Sequence, residues 1–330
     1  MNLSKSVLIF SIFLLPFLFS CEEDFEVNAP WEEITILYGL LDLQDSVQYI
    51  RVQRAYQNTD GVTAQEVAAI KDSIYHTDSL EVRLLSSRGS TYDLIPVARN
   101  DKAPGMFSNP DHYLYRTPPG MQLEEDATYR VEVTNLESGH QIHAETPLVQ
   151  PMRPVNPNDN IGAAINFSTS NVVLSWINGR NAHYYDLEVD IHYTIINRED
   201  GSRNQDKINW RIFQLRETTR RPGTEERASV SPESFFDRLK TGIETSPTRS
   251  HRIDSLMFHY SSGEFELYNF INVNRPSIGI VQKLPEYTNL SEGYGIFSSR
   301  SSTSFKVNLT EITVGDLLTR EDLQEYNFVE

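Results

Sequence analysis

Apolar and polar residues alternate with a period of two along most of the chain beyond residue 31. The runs 34–40, 80–84, 129–133 and 185–195 have an apolar residue at every second position. In the last three runs, charged residues fill most of the positions between. Successive side chains of a strand point to opposite faces, so these runs predict half-buried antiparallel strands. The chain is therefore expected to be mainly β.

A proline-rich passage divides this body into two predicted domains. Pro147, Pro151, Pro154 and Pro157 fix φ and remove donors from a strand ladder, so an extended connector is expected here. Antiparallel β-sandwiches are therefore predicted at residues 31–149 and 150–330. Within 171–196, a tryptophan in one strand faces a tyrosine at the start of the next, which resembles fibronectin type III-like sandwiches.

The second domain also carries signals of short helices. Ser231 followed by Pro232 is typical of a helix start, and Gly242 is typical of its end. The residues predicted to face inward are Phe235, Phe236 and Leu239 in this helix, and Phe265, Tyr268 and Phe270 in a second helix at 263–273. Further strands are predicted at 207–216 and 304–309, with helical structure near 316–318.

The N-terminus has the parts of a secretory signal. Lys5 precedes an apolar run at 7–19, which is too short to cross a bilayer as a helix, and Ser20 precedes Cys21, the only cysteine. This pattern resembles a bacterial lipoprotein signal, in which residues 1–20 are removed and Cys21 is lipidated. The alternative is a free thiol at Cys21. Residues 21–30 lack periodicity and are expected to form an acidic tether.

The acidic residues directly after the cysteine have two interpretations. Glu22, Glu23 and Asp24 resemble the surface-export signal of Bacteroidetes lipoproteins, which favours the cell surface over the periplasmic face. The alternative is that any solvated tether carries charge.

Charge and motifs exclude several functions. The formal net charge of −17 repels phosphate backbones, so no nucleic-acid partner is expected. No nucleophile elbow, phosphate loop, dinucleotide fingerprint or metal-ligand spacing occurs, so no cofactor or metal is expected. The chain is predicted not to be an enzyme. A glycoside hydrolase remains an alternative because carboxylates are abundant, although their separation is a three-dimensional quantity.

Two sets of residues are candidates for surface chemistry. Four tyrosines in loop-like contexts could stack on sugar rings, or they could simply pack at domain rims: Tyr113, Tyr115, Tyr287 and Tyr294. Four Asp-Ser-apolar triplets match the acceptor motif of Bacteroidetes O-glycosylation, at Ser46, Ser73, Ser79 and Ser255. The alternative is that these triplets simply begin turns and strands.

Five segments, which are spread over most of the mature chain, resemble those of a known family: 38–41 (YGLL), 50–52 (IRV), 129–133 (YRVEV), 144–147 (AETP) and 289–297 (NLSEGYGIF). They resemble an uncharacterised family of Bacteroidetes outer-membrane lipoproteins, known only as a domain of unknown function. The resemblance implies an Ig-like N-terminal sandwich and a gene often encoded beside a TonB-dependent receptor. The expected function is therefore lipid-anchored binding or assembly accessory to such a receptor. A surface glycan- or peptide-binding role is the alternative.

Overall fold

The structure is a computed structural model, and it describes residues 33–55, 63, 66, 74–75, 79–101, 103, 112–275 and 286–330. Strands hold 49% of the described residues and helices 14%, so the predicted mainly β class is confirmed. In the described part, the strands are β1 (Thr35–Asp42), β2 (Tyr49–Arg54), β3 (Leu80–Ser86), β4 (Thr91–Asp93), β5 (Ile95–Arg99), β6 (His112–Arg116), β7 (Thr128–Asn135), β8 (Gln141–Pro147), β9 (Arg153–Asn156), β10 (Ala164–Ile165), β11 (Val172–Ile177), β12 (Tyr184–Asn197), β13 (Arg203–Glu217), β14 (Glu225–Val230), β15 (Arg249–Gly263) and β16 (Tyr294–Leu309). The helices there are α1 (Pro232–Gly242), α2 (Phe265–Val273), α3 (Glu311–Thr319) and a 3-10 helix at Glu321–Tyr326.

One large sheet runs through the described chain, and two small sheets accompany it. The large sheet has the order β13-β12-β15-β16-β1-β2-β6-β5, with β10 paired to β16. The small sheets are β4-β3-β7-β8 and β14-β11-β9. Neighbouring strands are antiparallel, as predicted, except that β1 and β10 run parallel to β16. β9 belongs to a sheet and lies inside the passage that was predicted to be only a connector.

Two hydrophobic cores lie against the same face of the large sheet. In the first, Leu37, Ile50 and Phe297 join the inward residues of β3, β7 and β8. In the second, Trp176 on β11 lies 5.3 Å from the ring of Tyr185 on β12. Phe297 and Phe305, an even number of residues apart on β16, enter the first and second core respectively. The opposite, outer face of the large sheet therefore remains outside both cores.

β16 joins the two predicted domains. Residues 294–300 pair with β1, and residues 300–307 pair with β15. Phe297 lies beyond the boundary predicted at 149/150 and yet belongs to the first core, so neither the large sheet nor the first core ends at this boundary. Residues 33–330 form one compact unit. Of β16 (Tyr294–Leu309), only residues 304–309 were predicted as a strand, because the residues before them include glycine and a run of serines.

Two glycines permit the parallel pairing of β16 with β1. Gly293 and Gly295 have φ of +92° and +116°, a region that L-residues rarely adopt. A Cβ atom at either position would overlap a carbonyl oxygen of β1, that of Thr35 or Leu37. The close approach of the two backbones therefore requires glycine at both positions.

Both predicted helices are present, but one faces differently from the prediction. In α1, Phe235, Phe236 and Leu239 are buried as predicted, although the Ser231 side chain makes no capping hydrogen bond. In α2 the fully buried residue is Leu267. Tyr268 and Phe270 face the sheet as predicted, but Phe265 is largely exposed, so the predicted inward face is wrong at Phe265. Apolar residues occur all around α2, so their spacing does not select one face.

Candidate functional site

The outer face of the large sheet carries a groove of about 660 Å³ between the sheet and α2. Even-numbered residues of β1 and β16 form its floor, since the odd-numbered residues of these strands point into the cores. Among the described residues, the lining is Tyr38, Gly39, Leu40, Tyr49, Arg51, Leu114, Tyr184, Ser261, Ser262, Leu267, Phe270, Ile271, Ile296, Arg300 and Ser302.

The N-terminal turn of α2 is fixed to the sheet beside this groove. The Glu264 side chain accepts a hydrogen bond of 2.7 Å from the Glu266 backbone N–H and one of 3.2 Å from the Ser298 hydroxyl. Burial raises the pKa of Glu264, while these hydrogen bonds oppose that rise. Leu267 packs with Tyr184 and Leu215 in a small cluster of its own. The helix therefore has a defined position over the sheet.

Aromatic rings form the mouth of the groove. Tyr38 and Tyr49 are 42% and 39% exposed, although β1 and β2 are central strands of the large sheet. Tyr38 meets the edge of Phe270 on α2 at 6.3 Å between ring centroids. The Arg99 guanidinium lies 5.9 Å from the centre of the Tyr49 ring. The rings thus present apolar surface to solvent at a concave site.

The groove is lined by positively charged residues, although the chain as a whole carries a net negative charge. No acidic residue is among its described lining residues, whereas the chain has 46 Asp and Glu against 29 Lys and Arg. Arg300 lies 3.8 Å from Asp42, a buried carboxyl whose pKa is raised by burial. Arg51 differs, because its buried Nε atom has no hydrogen-bond partner in the described part of the chain.

A second, polar depression of about 380 Å³ adjoins the groove and shares Ser261 and Ser302 with it. Here His259 Nδ1 lies 2.8 Å from the Ser304 hydroxyl, and His259 Nε2 lies 3.5 Å from Asp190. These are the residue types of a serine hydrolase triad.

The partners of Asp190 argue against an activated Ser304. Lys207 Nζ lies 2.7 Å from the Asp190 carboxylate, and Asn209 donates to it at 3.1 Å. Burial alone would raise the pKa of Asp190, but these hydrogen bonds and the Lys207 charge outweigh burial and lower it. The carboxylate is thus neutralised mainly by Lys207 rather than by His259. We interpret this cluster as cross-strand pairing that stabilises the sheet.

The structure describes only some of the sequence-predicted site residues. Cys21, Glu22, Glu23, Asp24 and Ser73 lie outside the described residues. Ser46 is exposed in the turn after β1, and Ser79 is half-buried just before β3. Ser255 is 7% exposed within β15, so its hydroxyl is not accessible in the folded protein.

The four predicted surface tyrosines do not form one site. Tyr115 is buried in the first core and so cannot be a surface platform. Tyr113 is half-buried, with an edge contact to the ring of Tyr75, and the Tyr287 hydroxyl donates to Glu266 of α2. Tyr294 is 44% exposed at the start of β16.

Sequence reasoning missed Tyr38 and Tyr49 as site residues. Tyr38 was grouped with Ile34, Ile36 and Leu40 as one face of a half-buried strand, whereas Leu37 and Leu41 supply the core contacts of β1. The available signal was that β1 is apolar on both faces, which a strand with one solvated face does not need.

No helix among the described residues is long and apolar enough to cross a membrane. No protein-family model matches the chain, and no curated protein sequence is significantly similar to it.

Proposed function

We propose that the protein is a lipid-anchored, non-enzymatic binding protein that holds a ligand in the outer-face groove and serves a TonB-dependent receptor. The groove is the observation that carries this proposal. Its volume of about 660 Å³ lies within the roughly 300–1,000 Å³ that is typical of small-ligand pockets. Mostly apolar walls with a few polar groups also fit such a pocket.

The lipid anchor at Cys21 supports the role of accessory protein. A membrane-held binding protein has a raised effective concentration beside a membrane partner. The acidic residues at 22–24 support export to the outer leaflet of the outer membrane, which is where such a receptor opens to the outside. The proposal includes an Ig-like sandwich at residues 31–149 and a fibronectin III-like sandwich at residues 150–330. The contact between Trp176 and Tyr185 supports the second assignment.

Affinity capture of the full-length lipoprotein from native outer membranes tests this function. We expect recovery of a TonB-dependent receptor with the wild-type protein and much less recovery with Cys21→Ser, which cannot be lipidated. Efficient capture of the lipidated protein without any outer-membrane protein would contradict the accessory role.

A surface glycan-binding role is the second candidate. Tyr38, Tyr49 and Tyr294 are exposed on strands of one sheet, and aromatic rings stack on the C–H faces of sugars. Electrophoresis in polysaccharide-containing gels tests it. Retarded migration should be lost in Tyr38→Ala and kept in Leu136→Ala, a change at an exposed hairpin turn away from the groove. Equal retardation of both variants would contradict a glycan site in the groove.

A further inference from the structure

We propose that the ligand of the groove is an amphiphilic anion, which has an apolar body and one carboxylate or phosphate group bound by Arg51. This inference rests on the proposed function of the groove and names its ligand class.

The walls are chemically suited to an apolar body. Leu40, Leu114, Ile271 and Ile296 are aliphatic, and the ring of Phe270 covers the groove from the α2 side. The described lining has no Asp, Glu, Asn or Gln, which are the planar polar side chains that bind sugar hydroxyls in pairs. A neutral oligosaccharide would therefore leave most of its hydroxyl groups without partners here.

The charge in the groove selects an anion. A chain with a formal net charge of −17 repels anions over most of its surface, yet this groove is lined by two arginines and no described carboxylate. Arg300 at one end already has Asp42 as a neighbour. Among the described lining residues, Arg51 is left as the cation available to a ligand inside the groove.

Arg51 also has unused hydrogen-bonding capacity. It lies opposite Tyr38 in the β1–β2 register, so its side chain shares the outer face with the Tyr38 ring. Its buried Nε atom has no hydrogen-bond partner in the described chain, and a buried donor without an acceptor is unfavourable. Arg51 is half-buried and lines the groove, so the part of its guanidinium that faces the groove can bind a carboxylate or phosphate oxygen, two groups that guanidinium geometry favours.

Photo-crosslinking of the full-length lipoprotein in lipid nanodiscs tests the proposal. The probes are a hexadecanoic acid with a diazirine in its chain, its methyl ester and the corresponding alkyl phosphate. We expect saturable labelling by the acid that maps to α2 and β1. The ester should label at least about tenfold more weakly, which corresponds to about 1.4 kcal/mol. Competition between the acid and the phosphate distinguishes the two anionic groups.

Matched variants assign the anion to Arg51. Arg51→Gln should weaken labelling by the acid about tenfold and leave labelling by the ester unchanged, while Arg51→Lys retains most of the preference. Arg153→Gln, which removes an equal charge from an exposed position on β9, should change neither. Retention of the wild-type melting temperature in Arg51→Gln shows that folding is intact.

Three outcomes would overturn the inference: equal labelling by acid and ester, no effect of Arg51→Gln, or labelling that never saturates in the groove. If the receptor is not captured but labelling is saturable and depends on Arg51, the accessory role is contradicted and the proposed ligand class is retained. If the receptor is captured but the acid does not label the groove, the ligand class is contradicted and the accessory role is retained.

Discussion

Gly295→Ala should destabilise the protein because it separates β16 from β1. The new methyl group would overlap the carbonyl oxygen of Leu37, and φ of +116° is itself strained for alanine. Strain at such a φ costs about 1–3 kcal/mol. The overlap adds about 1–3 kcal/mol, as for other changes that overfill a packed site. A loss of about 2–6 kcal/mol in the free energy of unfolding is expected.

Gly89→Ala is the matched control for this change. Gly89 has a similar φ of +100°, but a Cβ atom there has nothing within 4 Å. Only the strain cost of about 1–3 kcal/mol applies. The difference between the two variants therefore isolates the close approach of β16 to β1.

Urea unfolding monitored by far-UV circular dichroism measures both losses. Hydrogen exchange of the β1 amides locates the change, and it should accelerate in Gly295→Ala but not in Gly89→Ala. If the two variants lose equal free energy to within about 0.5 kcal/mol, the claim that this backbone contact limits the pairing is wrong.

Three other predictions follow from packing, charge and exposure. Phe235→Ala, which empties a fully buried position that stacks on Phe167 at 4.3 Å, should cost about 3–5 kcal/mol in urea unfolding, and a loss below 1 kcal/mol would contradict this core assignment. Hydrogen bonds from Arg320 and then Lys240 lower the pKa of Asp322 from 3.8 to about 2, so its stabilisation is complete above pH 4 and lost as the pH falls to 2. Asp322→Asn should therefore be less stable than wild type by about 0.2–1 kcal/mol near neutral pH, a gap that closes in the acid range in pH-dependent unfolding, and a gap independent of pH would refute the assignment. If the Asp-Ser-apolar triplets are O-glycosylated in the native host, Ser46→Ala should lower the intact mass by one glycan and Ser255→Ala should leave it unchanged, because Ser46 is exposed and Ser255 is buried; the opposite pattern would contradict this assignment.

The local parts of this fold could be predicted from the sequence. The alternation at 185–195 places Leu187, Val189 and Ile191 in the second core, as β12 does in the structure. The start signal at Ser231-Pro232 likewise marks α1 correctly. Both predictions depend only on residues within one element, where side-chain period and capping preferences act.

The non-local parts could not be predicted in this way. The pairing of Tyr38 with Ile296 joins residues far apart in sequence, and no local pattern specifies a parallel partner. The groove depends on this pairing and on α2, whose apolar residues do not select a face. The hydroxyl of Ser304 and the ring of His259 were likewise brought together only by the pairing of β15 with β16.

Because β1 lies near the start of the chain and its partner β16 lies near the end, the order of synthesis matters for this protein. While the chain is being synthesised, one edge of β1 has no partner strand until residues 294–300 of β16 have been added. An exposed edge of this kind favours misassociation with other chains. A chain truncated before β16 therefore leaves this edge of β1 unpaired, and we expect it to associate with other copies more readily than the full chain does.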